Sequence, residues 1–192
     1  MCGIAGTIGS VGPPKRDALR RMNDAMAHRG PDGDGYWESQ SDDRGFGLML
    51  SHRRLTILDL TPAAAQPMVD PVTGHVIVFN GEIYNYVELR DRLAAEGQTF
   101  ESTGDTTVML REISLHGPDA IRRLRGMFAV AIWDRNNRQL ILARDSFGIK
   151  PLYCYIPGGN VFLTASDSTK DVSSNTLVFA SEVRALLASE LV

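Results

Sequence analysis

The 192-residue chain holds only two cysteines, Cys2 and Cys154, and four histidines, scattered and without C-x-x-C or H-E-x-x-H spacing, which excludes the common sequence signatures of a metal site. Its longest apolar runs, such as Gly126 to Trp133, fall far short of the roughly 18–20 residues a membrane-spanning helix needs. A formal net charge of −3 gives no basic surplus with which to bind nucleic acid or an anionic membrane. The N-terminus lacks the basic flank and apolar stretch of a secretory signal, so a reducing cytoplasm with free thiols is the expected setting. Repeats are absent too. What is present, 43% hydrophobic and 22% charged residues, fits one globular domain with a substantial core.

Residues 2–9 read as a strand that begins almost at the first residue, unusual because termini fray unless tied down. A helix follows over about 15–27, with Leu19, Met22 and Met26 on one face. The glycine-rich stretch 28–35 reads as a loop. Strands are expected over 46–54 and 75–80, then helices over 85–96 and 105–116, the first stopped by Gly97 and the second capped by Asp105. Residues 127–133 are apolar on both faces, so this strand should be covered on both sides, with 139–143 and 152–156 pairing beside it. A last strand, 177–180, leads into a helix over 182–189, and the polar stretch 164–176 before it reads as a mobile surface loop. Two packed sheets with helices outside make a layered α+β domain, whose layer order periodicity leaves open.

Two features carry chemistry. Cysteine is usually a small buried hydrophobe, but a small second residue permits removal of Met1, which places the Cys2 thiol and a free α-amine on one residue. An α-amine of ordinary pKa about 7.7–8.0 can take the thiol proton near neutrality, so Cys2 can supply both nucleophile and base. The second feature is Asn80-Gly81, where a strand ends. The Asn80 side-chain amide and the Gly81 backbone N–H suit an oxyanion, which needs donors about 2.7–3.1 Å away. Asn-Gly is also an ordinary turn dipeptide.

Several stretches then appear in order: Met1-Cys2-Gly3-Ile4-Ala5-Gly6, His28-Arg29-Gly30-Pro31-Asp32-Gly33, Ser51-His52-Arg53-Arg54-Leu55-Thr56-Ile57 and Phe79-Asn80-Gly81-Glu82-Ile83-Tyr84-Asn85-Tyr86. Thr103-Gly104-Asp105-Thr106, Gly126 to Asp134, Arg144 to Tyr153 and Phe179-Ala180-Ser181-Glu182 follow. Together they resemble the glutaminase half of glutamine-dependent asparagine synthetase, a class II glutamine amidotransferase. The resemblance implies an N-terminal-nucleophile hydrolase fold, a four-layer αββα sandwich of two antiparallel sheets between helical layers. It also implies a glutaminase domain over 2–190. Cys2 is then the nucleophile and its α-amine the base, with Asn80 and Gly81 as the oxyanion hole. Arg54 would hold the α-carboxylate of L-glutamine, Glu82 and Asp105 its α-ammonium, and the backbone around Leu55 and Ile57 would line the pocket. The same resemblance sets aside the Cys–His dyad that His28 and His52 invite. Cys154 stands where the family often has an aromatic residue, which assigns it to core packing.

The family's synthetase domain is missing: neither a Ser-Gly-Gly-x-Asp-Ser loop nor a G-x-x-x-x-G-K-[ST] loop occurs. ATP and magnesium therefore belong to a domain outside this chain, in cis or trans, which would receive ammonia and make asparagine. No cofactor is expected here, and a homodimer stays open. The stretch 164–176 is longer than the family's usual hairpin. The rival readings are an amidotransferase with another ammonia acceptor and a catalytically silent docking module of the same fold.

Overall fold

A computed structural model describes residues 1–43, 45–157 and 176–192. Its first sheet has five strands in the order β2 (Gly33–Glu38), β3 (Phe46–Arg54), β1 (Gly3–Ser10), β9 (Leu177–Ala180), β8 (Tyr153–Tyr155). The second has four, in the order β4 (Met68–Val69), β5 (Val76–Ile83), β6 (Gly126–Asp134), β7 (Gln139–Arg144). Every strand pair within the two sheets is antiparallel.

Strand alternation sorts the core into three sheets of contact. Ile4, Leu48, Leu50, Phe179 and, from the other sheet, Val76, Val78 and Ala131 fill the space between the two sheets. On the outer face of the first sheet, Ala5, Met49 and Val178 pack against Leu19, Met22 and Met26 of the helix α1 (Pro13–Ala25) and its end, and against Leu186 of α4 (Val183–Ala188). On the outer face of the second, Ile77, Phe79, Val130 and Ile132 pack against Leu89 and Leu93 of α2 (Tyr86–Ala95) and Val108, Met109 and Ile113 of α3 (Asp105–His116). The layer order is αββα, as the resemblance implied. β6 is buried on both faces, as its unbroken apolar run foretold. Phe179 has no exposed surface, and truncating such a side chain to alanine costs about 3–5 kcal/mol.

α2 stops where expected. Gly97 takes φ +83°, a conformation side chains resist, and its N–H returns to the Ala94 carbonyl at 2.9 Å. Other expectations need correction. β2 falls on what read as loop and turn, because its two glycines and alternating half-exposed residues hide an edge strand. β5 runs on to Ile83, so Asn80 and Gly81 lie within a strand rather than at its end. β7 pairs with β6 as expected, but β8 joins β9 in the other sheet. Gly104, not Asp105, is the cap residue of α3, and Asp105 is its first helical residue. Cys154 sits on the edge strand β8 as an exposed residue, not in the core. The stretch 164–176 lies, except for Thr176, outside the described residues.

Candidate active site

The N-terminus is tied down on several sides. β1 lies between β3 and β9. The Ile4 N–H donates to Ser181 Oγ at 3.0 Å, and the Ser181 N–H returns to the Ile4 carbonyl at 2.9 Å. Arg29, on a short 3-10 turn after α1, donates from Nε to the Cys2 carbonyl at 2.9 Å and pairs with Glu182 at 2.8 Å. Met1 is present in this chain, so the Cys2 nitrogen is an amide here.

Cys2 Sγ borders a cleft of about 510 Å3, its open mouth included, which Arg54, Leu55, Ile57, Gly81 and Asp105 also line. The Leu55 N–H donates to the sulfur at 3.4 Å, and the thiol faces the Leu55 carbonyl at 3.6 Å. Burial pushes the thiol pKa up; the Leu55 hydrogen bond and the positive charges of the N-terminus, Arg54 and Arg29 work against it without cancelling it.

The far wall is the edge of β5. Phe128 directs both its N–H and its C=O to Asp145, on the β7 side. Its partner Gly81 is therefore in a non-hydrogen-bonded pair, which turns the N–H groups of Phe79, Gly81 and Ile83 away from β6. Gln66 Oε1 takes the Phe79 N–H at 2.6 Å, and Asp105 Oδ2 takes the Ile83 N–H at 2.9 Å. Between these two occupied donors, the Gly81 N–H faces the cleft. A side chain at Gly81 is impossible without movement, because its Cβ would lie 2.2 Å from the Met127 carbonyl oxygen. Asn80 is 1% exposed and does not itself line the cleft, and its amide nitrogen has no partner among the described residues. A buried donor left unmatched costs about 1–3 kcal/mol.

Arg54 ends β3 and donates from Nη2 to the carbonyls of Asp59 and Thr61, at 2.6 and 3.1 Å. Asp59 is the tether of this segment. Its carboxylate accepts from Thr61 Oγ1 at 2.6 Å, the Thr61 N–H at 2.8 Å, Ser102 Oγ at 2.8 Å and the Thr103 N–H at 2.9 Å. Those bonds hold its pKa below the ordinary carboxylate range. Asp105 is buried, and burial raises its carboxyl pKa against the Ile83 hydrogen bond. Glu82 is exposed and does not line the cleft, but its charge reaches Asp105 and adds to the rise of its pKa.

Among the described residues, no cluster of His, Cys, Asp or Glu suits a metal ion, and no helix is long and apolar enough to cross a membrane.

The family model of the glutamine amidotransferase domain matches residues 1–192. The chain belongs to that family. It is 38% identical over 181 residues to asparagine synthetase (glutamine-hydrolysing) 1 of Bacillus subtilis, covering 92% of this chain and 28% of that protein. It is 42% identical over 165 residues to a putative asparagine synthetase (glutamine-hydrolysing) of Mycobacterium bovis, covering 80% of this chain and 25% of the relative. The chain thus spans about a quarter of the length of these curated relatives. Among solved structures, glutamine phosphoribosylpyrophosphate amidotransferase of B. subtilis superposes with a TM-score of 0.71 at 19% identity, over 98% of this chain and 44% of that one. At that identity the likeness establishes the shared fold.

In this amidotransferase domain two residues of the cleft escaped sequence reasoning. Asp59 and Gln66 act on partners far along the chain, so no local pattern reveals them. His52 had suggested a dyad. It lines the cleft, yet it is 1% exposed, with its ring beside the Phe79 backbone. Desolvation lowers its pKa to about 4, so it is neutral at physiological pH. His28 is on the surface, bonded to Glu182 at 2.9 Å.

Proposed function

We propose that this domain hydrolyses L-glutamine to L-glutamate and ammonia through a thioester on Cys2. The observation that carries the reading is that the Cys2 thiol and the edge N–H of Gly81 share one cleft with Arg54 and Asp105. Asn80, next to Gly81 in β5, is buried with its amide nitrogen unmatched among the described residues and does not itself line that cleft.

Removal of Met1 frees the Cys2 α-amine, which takes the thiol proton directly or through a water. The sulfur attacks the side-chain carboxamide, and the resulting oxyanion is held by Asn80 and Gly81. The α-ammonium returns its proton to the departing nitrogen, the C–N bond breaks, and ammonia leaves a γ-glutamyl thioester. Water then attacks, giving up one proton to the amine, and glutamate leaves as the thiol is restored. Arg54, with guanidinium N–H groups beyond those given to Asp59 and Thr61, receives the substrate α-carboxylate. Asp105 receives the α-ammonium, and exposed Glu82, whose charge reaches Asp105, adds negative charge. The backbone of Leu55 and Ile57 completes the pocket.

The longer relatives are named asparagine synthetases (glutamine-hydrolysing), which supports the reading that the ammonia serves asparagine synthesis. In this reading a synthetase domain outside this chain uses it with ATP and magnesium. Ammonia kept from water stays unprotonated and reactive, a physical reason to couple two such sites. A glutamate-release assay on wild type, C2A and C154A tests the hydrolytic reading. Loss in C2A with retention in C154A is expected; retention in C2A would overturn it.

A further inference from the structure

Lys150 is 6% exposed, and the only hydrogen-bond partner of its ammonium among the described residues is the Met1 sulfur, at 3.3 Å. A thioether is a weak acceptor, and a buried ammonium is ordinarily matched by a carboxylate. Asp145, close by in sequence, is not that match. Its Oδ1 accepts from the N–H groups of Phe147 and Ile149, at 3.1 and 2.9 Å. Its Oδ2 accepts from those of Phe128 and Lys150, at 3.1 and 3.0 Å. The aspartate therefore fixes the backbone that carries Lys150 while leaving the ammonium to point at the N-terminus.

Arg29 reaches the same Met1 sulfur, at 4.0 Å, but it also has a carboxylate partner in Glu182. Among the described residues, Lys150 is thus a cation beside the first residue with no carboxylate partner. Taking Met1 away removes the sulfur and exposes the Cys2 α-amine to that charge, one residue along. A neighbouring like charge disfavours protonation. We propose that Lys150 is a positioning residue whose charge keeps the Cys2 α-amine in its neutral, proton-accepting form; this rests on the reading of Cys2 as an amine-bearing nucleophile.

Other charged groups also surround the N-terminus, and Arg54 and Arg29 both add positive charge at Cys2. Glu182, at the junction of β9 and α4, is shared among Arg29, His28 and Arg184. Arg54, at the end of β3, adds positive charge of the same sense, partly spent on the carbonyls of Asp59 and Thr61. Asp32 is held by the Thr56 N–H at 2.7 Å, and Asp105 by that of Ile83. His52, in the cleft, is uncharged above about pH 4.

The test is the pH dependence of kcat/KM for glutamate release in the intact protein, for wild type, K150M, K150Q and K150R, with Met1 loss verified by mass spectrometry. Without the charge the amine becomes easier to protonate, and the acidic limb moves up by about one pH unit. The ratio of rates at about pH 6.5 and about pH 8.5 then falls about tenfold in K150M and K150Q, whereas K150R keeps the wild-type ratio. Two neutral variants guard against one that fails to fold. A limb unmoved in either neutral variant, or a uniform loss at every pH, overturns the role of Lys150 alone. Retained Met1, or glutamate release by C2A, overturns the underlying reading of Cys2.

Discussion

The Cys2 sulfur is held between the N–H and the C=O of one residue, Leu55, at 3.4 and 3.6 Å, across 53 positions of sequence. Backbone therefore aims the nucleophile, and an isosteric change leaves that aim intact. In C2S the hydroxyl occupies the same position but is a far poorer nucleophile. Glutamate release is expected to fall at least about a thousandfold while calorimetric affinity for glutamine stays within about threefold. Parallel loss of affinity would mean that the sulfur binds substrate rather than attacking it.

Asn80 separates transition-state from ground-state roles. If its unmatched amide serves an oxyanion, N80A lowers kcat by about a hundred- to a thousandfold with little change in KM. The variant should also be no less stable than wild type in denaturant, since it removes a buried donor that the protein itself does not satisfy. An unchanged kcat would take Asn80 out of the mechanism.

Gly81 faces two demands at once. Its N–H looks into the cleft, while its Cα is pressed so close to β6 that a Cβ would meet the Met127 carbonyl oxygen at 2.2 Å. G81A is expected to cost about 2–3 kcal/mol in chemical unfolding and to lower glutamate release, because the strand must shift to admit one methyl group. Wild-type stability in G81A would show that the two strands are not as close as described.

His52 sets an acid limit on stability. Its folded pKa of about 4 lies below the ordinary value of 6.5 because burial disfavours the charged ring. Below about pH 6.5 the unfolded chain takes up a proton that the folded chain refuses, so stability falls until about pH 4, where the folded ring also protonates. Between about pH 7.5 and about pH 4.5, wild type should lose about 2–3 kcal/mol more than H52Q. Unfolding midpoints across that range measure the difference, and parallel curves would remove His52 as its source.

Elements were legible in the sequence where a local pattern causes them. The unbroken apolar run of β6, the i, i+3, i+7 face of α1 and the stop at Gly97 all belong to that kind. β2 was missed because an edge strand with Gly33 and Gly35 carries the same residues as a turn, and its identity comes only from pairing with β3. The partner of β8 was misjudged for the related reason that sheet membership is a long-range fact. At the site, the resemblance named residues that the fold gathers at one cleft, Cys2, Arg54, Leu55, Ile57, Gly81 and Asp105. It gave no hint of Asp59, whose carboxylate ties residues 59–61 to Ser102 and Thr103.

The central claim is that Cys2, as the first residue of the mature protein, is the nucleophile for glutamine. Intact-mass and peptide mass spectrometry after treatment with a glutamine analogue bearing an electrophilic side chain tests it most directly. The expected result is a single adduct on an N-terminal peptide that begins at Cys2, prevented by excess glutamine. An adduct on Cys154, or an unlabelled N-terminal peptide that still carries Met1, would contradict it.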